Sequence, residues 1–400
     1  MHSIRLVQIC VISACVVAVP VMASAQAADT QVLRQEIDRL RADFEMLRQQ
    51  YADRLSALEA RLAALKDGTA QLPPGSAASS SKIFNPDTSV IGNFLGVAGR
   101  NRMSDQPPLS LTEVEAAFQA VVDPYARADF FLSASPEGLE VEEGYITFTS
   151  LPAGVLLKVG KMRAQFGKVN TMHTHILPWA DRPLVSQNLF GGGEGLADSG
   201  ISVSRLIPNG FMFIDAIGEV YRGDSEVFQS EARSKLNYIG RLRGYRDLTE
   251  GTNIDLGVSH ARGPSAALPG YHTQLTGVDA TFRYRPLRRA IYRQFVGRTE
   301  FVWNRQDTPG LRQSTSGFYS SADYQFARRW FVGVRGDRSG RALDSALHDS
   351  GGSIHLTFRP SEFALIRGQY RRTNYAEGTD ANELLFQVNF SIGAHGAHSF

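Results

Sequence analysis

Cysteine is almost missing from this 400-residue chain, and the two present, Cys10 and Cys15, both lie near its start. If that segment is removed, disulfides, thiolate metal sites and cysteine nucleophiles are excluded together. Beyond the N-terminus no apolar run approaches the ~20 residues that a membrane-spanning helix needs. Charged residues are 20% of the chain, below the ~25% usual for soluble proteins. The net charge of +2 gives no sign of a nucleic-acid partner. The glycines Gly191 to Gly195 form no phosphate loop, because no Gly-Lys-Ser/Thr follows. Ser259-His260 is the only adjacent nucleophile and base pair on a strand-like run, so no catalytic residue and no cofactor is assigned. His173-Thr174-His175 offers two imidazoles, with His395 and His398 further on. Two ligands do not close a metal site, and none is assigned.

What is present begins with a signal peptide over 1–27. Arg5 precedes an apolar run, Leu6 to Val21, and Ala23-Ser24-Ala25 or Ala25-Gln26-Ala27 supplies small residues for cleavage. Cutting instead before Cys15, as in a lipoprotein, leaves an apolar tail, Val16 to Met22, on the mature chain. Residues 28–66 carry a heptad stripe, Leu33, Ile37, Leu40, Phe44, Leu47, Tyr51, Leu55, Leu58, Leu62 and Leu65, with one stutter after Tyr51. The stripe predicts a self-associating coiled coil, because a lone helix with so narrow an apolar seam gains little in water. The alternative is an amphipathic helix lying on another surface. Gly, Pro, Ser and Ala then mark 67–83 as a flexible linker.

From Phe84 onward, runs of about ten residues alternate apolar and polar side chains between turn signals. Sixteen strands are predicted, centred on Phe94, Phe118, Phe130, Ile146, Leu157, Val203, Ile214, Ile239, Leu256, Phe282, Phe301, Ala322, Val332, Leu356, Ile366 and Val388. Connections after strands 2, 4, 6, 10, 12 and 14 are tight, for example Asp123-Pro124 and Pro208-Asn209-Gly210; those after strands 1, 5, 7, 9, 11, 13 and 15 are expected to be longer. Leu384, Phe386, Val388, Phe390 and Ile392 share one parity with the terminal Phe400. Together these features predict an all-β transmembrane barrel over 84–400 in the cell outer membrane, assembled there by the barrel machinery, with the coiled coil in the periplasm. A β-sandwich also alternates, but so long a series of hairpins makes an unusually large one.

Within the strands, charge facing lipid costs roughly 2–4 kcal/mol at the midplane, so the polar parity must face the lumen. Glu113, Glu115, Asp129, Asp215 and Glu219 then form an acidic wall, against Arg127 and Lys158. Arg241, Arg243, Arg283, Arg285, Arg298, Arg335, Arg359, Arg367 and Arg371 form a basic wall containing fewer acids: Asp255, Asp279, Glu300, Asp323 and Asp337. The excess arginine predicts a weak anion preference; the alternative is that arginines and acids simply pair across strands. The longest connection, Gly167 to Asp198, carries Ile176, Leu177, Trp179, Leu184, Val185, Leu189 and Phe190. So apolar a loop needs burial, and the lumen can supply it. It is predicted to fold inward as the pore constriction, with Asp181 and Arg182 at the narrowing and Glu194 at its return, rather than to sit outside as a lid.

The run Gly160-Lys161-Met162-Arg163-Ala164-Gln165-Phe166-Gly167, followed by Trp179-Ala180-Asp181-Arg182-Pro183-Leu184, resembles the strand, loop and acid-Arg-Pro element of the phosphate-selective porin family. The resemblance covers about 85–400 and implies a sixteen-strand trimeric porin with an inward third loop. That family's lysine-rich phosphate path is not evident, since lysine is scarce here. The Asn85-Pro86-Asp87 opening and the Gly393 to Phe400 ending are also similar to porin-like proteins sometimes labelled TonB-dependent receptors, although no plug domain precedes the barrel. The expected function is passive diffusion of small hydrophilic solutes or ions. The alternatives are a tether or adhesin whose coiled coil contacts a periplasmic or cell-wall partner, and a metal-related receptor-like protein.

Overall fold

The computed structural model describes residues 86–136, 138–193 and 195–393, together with Gln49. The signal peptide, the coiled coil, the linker, Glu194, His395, His398 and Phe400 lie outside the described residues. Sixteen strands follow one another: β1 (Asp87–Arg100), β2 (Leu109–Asp123), β3 (Ala126–Ser135), β4 (Gly138–Phe148), β5 (Val155–Arg163), β6 (Ala197–Ile207), β7 (Phe213–Tyr221) and β8 (Asn237–Thr249). The second half continues with β9 (Thr252–Pro264), β10 (His272–Tyr284), β11 (Gln294–Thr308), β12 (Leu311–Ala327), β13 (Trp330–Arg341), β14 (Asp344–Ser361), β15 (Ala364–Asn374) and β16 (Asp380–Gly393). Each residue named above as a strand centre falls inside the corresponding strand.

Every strand pairs antiparallel with its neighbours in sequence, and β16 returns to β1 with Val388 opposite Phe94, so the sheet is a closed barrel. Closure leaves no unpaired strand edge, the only sheet arrangement that satisfies its backbone in lipid. The two-residue period decides which side chains face which way. One parity is apolar and uncovered: Val258 is 53% exposed, Ile354 50% and Leu384 57%. The other parity is polar and buried, with Glu115, Asp129, Ser259, Glu300, Arg367 and Gln369 among its members. A soluble protein has this pattern reversed.

Most turns after even-numbered strands are short, as expected. Two of the connections expected to be longer are not: β11–β12 and β13–β14 are joined through two residues each, 309–310 and 342–343. The polar sequence expected there to be loop instead continues the ladder, lengthening β12 to 17 residues and β14 to 18. Hydrogen-bonded pairing satisfies that backbone as well as water does, so polarity alone did not mark a loop.

Candidate functional site: the channel and the segment that crosses it

Residues 164–196, between β5 and β6, turn into the barrel. Gly167 starts the turn at φ 59, and Gly195 ends it at φ 67, both in the left-handed region that favours glycine. A side chain on Gly167 would also collide with Glu300. The segment includes one short helix, α1 (Leu184–Leu189), packed near β11 to β14.

Its apolar side chains form a core inside the barrel. Phe166, Val169, Leu177, Trp179, Val185, Leu189 and Phe190 are buried with wall residues Tyr221, Ile239, Ala261, Leu275, Val302 and Tyr319. The wall residues belong to the inward parity, the one that the sequence pattern identified by its polar side chains. Ile239, Ala261 and Leu275 are direct cross-strand neighbours, Ala261 opposite both of the others. They make a continuous apolar patch on which the loop docks. Trp179 meets Tyr319 edge-on at 5.2 Å between ring centroids, and the Arg335 guanidinium lies 4.9 Å from the Trp179 ring centroid. The signal was available in the sequence: at least one apolar residue interrupts the polar parity on each of six successive strands, β7 to β12.

Polar anchors fasten the same segment around the wall. At its start, the Gln165 amide donates to Glu219 at 2.8 Å and the Gly167 amide to Ser259 at 3.1 Å. The Lys168 and Val169 amides both donate to Glu300 Oε2 at 3.3 Å. Arg241 donates to the Gly167 carbonyl. Lys168 Nζ lies 3.6 Å from Asp255; burial, opposed by Asp255, lowers its pKa to about 8.

The middle of the segment reaches β2 and β4. His173 Nδ1 lies 2.6 Å from Glu115 Oε2, and its Nε2 lies 2.7 Å from Glu143 Oε1. Burial alone would lower the His173 pKa, but hydrogen bonds to Glu115, Glu142 and Glu143 hold it well above the usual value. His175 Nδ1 is 3.7 Å from Glu115 and 3.8 Å from Glu113. The His175 carbonyl accepts from Asn389 of β16 at 2.7 Å. Glu115, His173 and His175, all buried, hold one ligand atom each within 4.8 Å of one another, close enough together to ligate one ion. The sequence pattern supplied only the histidines, because nothing local connects them to Glu115.

Further along, Asp181 meets the basic wall. Its carboxylate accepts from Arg335 at 2.8 Å, Arg371 at 3.0 Å and Gln369 at 2.5 Å. Burial would raise the Asp181 pKa; the two arginines and Gln369 outweigh it and hold the carboxyl at about 2. Arg182 lines the same cavity as Asp181, and its guanidinium donates to the Met172 carbonyl at 2.9 Å and to that of Val169 at 3.4 Å, bracing the loop against itself.

Much of the basic wall is neutralised where it stands. Arg241 pairs with Asp279 at 3.0 Å, Arg243 with Asp255 at 2.7 Å, Arg298 with Asp323 at 2.8 Å and Arg335 with Asp337 at 2.7 Å. Arg283 is 4.0 Å from Asp255. Arg367 is buried against Thr357 and Gln387, whereas Arg285 is exposed. On the acidic wall, Asp129 binds Arg127, while Glu113 and Glu115 lie beneath the loop histidines. A charge withdrawn from water needs a partner, and these arginine–aspartate pairs supply one along much of the basic wall.

Open space remains on both faces of the segment. A cavity of about 500 Å³ is lined by Lys158, Lys168, Thr171, Asp215 and Arg243, and another of about 560 Å³ by Asn101, Asp181, Asn188, Arg341 and Arg371.

A closed barrel of sixteen antiparallel strands, apolar outside and crossed inside by the segment after its fifth strand, is the porin-type architecture. Pseudomonas putida OprB shares it at a TM-score of 0.55, with 9% identity over 80% of this chain and 97% of that one. An anion-selective porin from Comamonas acidovorans aligns at 0.52, with 10% identity over 77% and 100%. The trimer form of Vibrio cholerae OmpT, an outer-membrane protein, aligns at 0.51, with 9% identity over 77% and 100%. No known family model matches the sequence. The chain is 30% identical over 391 residues to an uncharacterised protein of Aquifex aeolicus (strain VF5), covering 80% of this chain and 81% of that protein, and it belongs to the same family.

Proposed function

We propose that this protein is an outer-membrane porin through which small hydrophilic solutes or ions diffuse passively, with a weak preference for anions. One observation carries the reading: the lumen is crossed by a segment anchored to its wall, and a cavity of about 500 Å³ or more lies on each face of that segment. The uncovered apolar parity suits lipid, so the outer membrane is the proposed location. At the first cavity Arg127, Lys158, Arg163, Lys168, Arg241 and Arg243 face Asp129, Glu143, Asp215 and Glu219, and pairing of Arg163, Lys168, Arg241 and Arg243 with Glu142, Asp255 and Asp279 keeps the proposed preference for anions weak. Charges on opposite walls of a bare sixteen-strand lumen are separated by more than the ~8 Å Debye length at physiological salt, so selectivity needs the crossing segment. A homotrimer, with the N-terminal coiled coil in the periplasm, completes the proposal; a trimeric form of a barrel of like fold supports it. Phosphate is not carried over as a substrate.

The test is conductance of the purified mature protein in planar bilayers, with reversal potentials in asymmetric salt. The wild type is expected to conduct. Deleting Thr174 to Gly192 in a barrel that still folds should raise conductance and flatten selectivity. A folded wild-type barrel that never conducts would overturn the reading in favour of a tether.

A further inference from the structure

We infer that Glu115, His173 and His175 form a binding site for one divalent transition-metal ion of the zinc class, fastening the middle of the crossing segment to β2. The inference does not depend on the channel reading.

Three observations carry it. The first is the ligand set: two imidazoles from the segment and a carboxylate from the wall converge, with Glu113 alongside, and each of the four residues is buried. Imidazole with carboxylate suits zinc, nickel, copper or iron rather than calcium or magnesium.

The second is spacing. Ligands at ~2.0–2.2 Å from a tetrahedral ion stand roughly 3.3–3.6 Å from one another. Here Glu115 Oε2 is 2.6 Å from His173 Nδ1 and 3.7 Å from His175 Nδ1. Those separations straddle the required value, so small side-chain shifts admit the ion. His173 presents Nδ1 to the site while Nε2 faces Glu143 at 2.7 Å; binding the ion displaces the Nδ1 proton that Glu115 now accepts. Glu143 in turn accepts from the Arg163 amide at 3.1 Å. A histidine whose far nitrogen is held by a carboxylate is the usual outer support of a metal ligand.

The third is an unmet need. Among the described residues, Glu115 Oε1 and Glu113 Oε2 are buried with no hydrogen-bond partner, and the Glu115 side chain is 0% exposed. A buried carboxylate oxygen left unsatisfied is costly. A cation ligated there removes that cost.

The test uses full-length protein in detergent, stripped with EDTA, dialysed and titrated with zinc. The wild type should bind one equivalent that is lost, or at least ~100-fold weaker, in Glu115→Gln and in the His173→Asn, His175→Asn double variant; heat-modifiable gel mobility checks that each barrel is folded. Equal binding by wild type and folded variants would overturn the site, as would a wild type that binds no zinc. If the variants do not fold, X-ray absorption of zinc-loaded wild type decides. Two imidazole nitrogens at ~2.0–2.1 Å support the site, and a shell without imidazole overturns it.

Discussion

Arg335 grips Asp181 at two points: Nη2 donates to the carboxylate at 2.8 Å and Nη1 to the backbone carbonyl at 3.0 Å. With both main chain and side chain of one loop residue held by one wall residue, the far end of the crossing segment is fixed in orientation as well as position.

Removing that carboxylate should therefore release the segment. Asp181→Ala removes the carboxylate that Arg335 and Arg371 share, but each keeps another acid, Asp337 and Glu383, so the cost falls below the ~3–5 kcal/mol of an uncompensated buried charge. The expected outcome is a barrel that still folds but shows faster proteolysis within 164–196 and a higher, noisier conductance. Acid should act on the wild type in the same direction. The Asp181 pKa is depressed to about 2, so its contribution is complete above the ordinary carboxylate range and lost as pH falls from about 4 through about 2. Wild type and Asp181→Ala should differ in proteolysis at pH 6 and converge near pH 2.

Lys168 gives a second pH dependence, at the alkaline end. Its pKa is lowered to about 8, and it lines the first cavity. Raising the pH through about 8 removes a positive charge from that cavity, so the preference for anions should weaken over that range. Reversal potentials measured from pH 7 to 9 should show the step in the wild type and not in Lys168→Met. A step of equal size in that variant would assign it to another group.

The lipid-facing surface is testable by placing charge on it. Val258, 53% exposed, sits in β9 on the opposite face from buried Ser259. Val258→Arg should destabilise the inserted barrel by about 2–4 kcal/mol if the position lies near the midplane. Val258→Leu should be close to neutral. Folding yield into lipid vesicles as a function of urea measures the difference; an indifferent Val258→Arg would mean that this belt does not meet lipid.

Strand number, strand order and the face each side chain presents were legible in the amino-acid sequence alone, because a two-residue period is a local property: Val258 and Ser259 point apart whatever surrounds them. The apolar loop between β5 and β6 was legible for the same reason, as a stretch that needed burial. What tertiary structure decided is what that loop touches. Asp181 and Arg371 lie 190 residues apart in sequence, and Glu115 and His173 lie 58 apart. Nothing in the spacing of either pair indicates contact. Only closure of the barrel, which sets the wall positions facing one another across the lumen, brings His173 to β2 and Asp181 to β13 and β15, and turns Arg182 back onto its own loop. The apolar patch at Ile239, Ala261 and Leu275 was present as isolated residues on separate strands, and it became a surface only when the register aligned them.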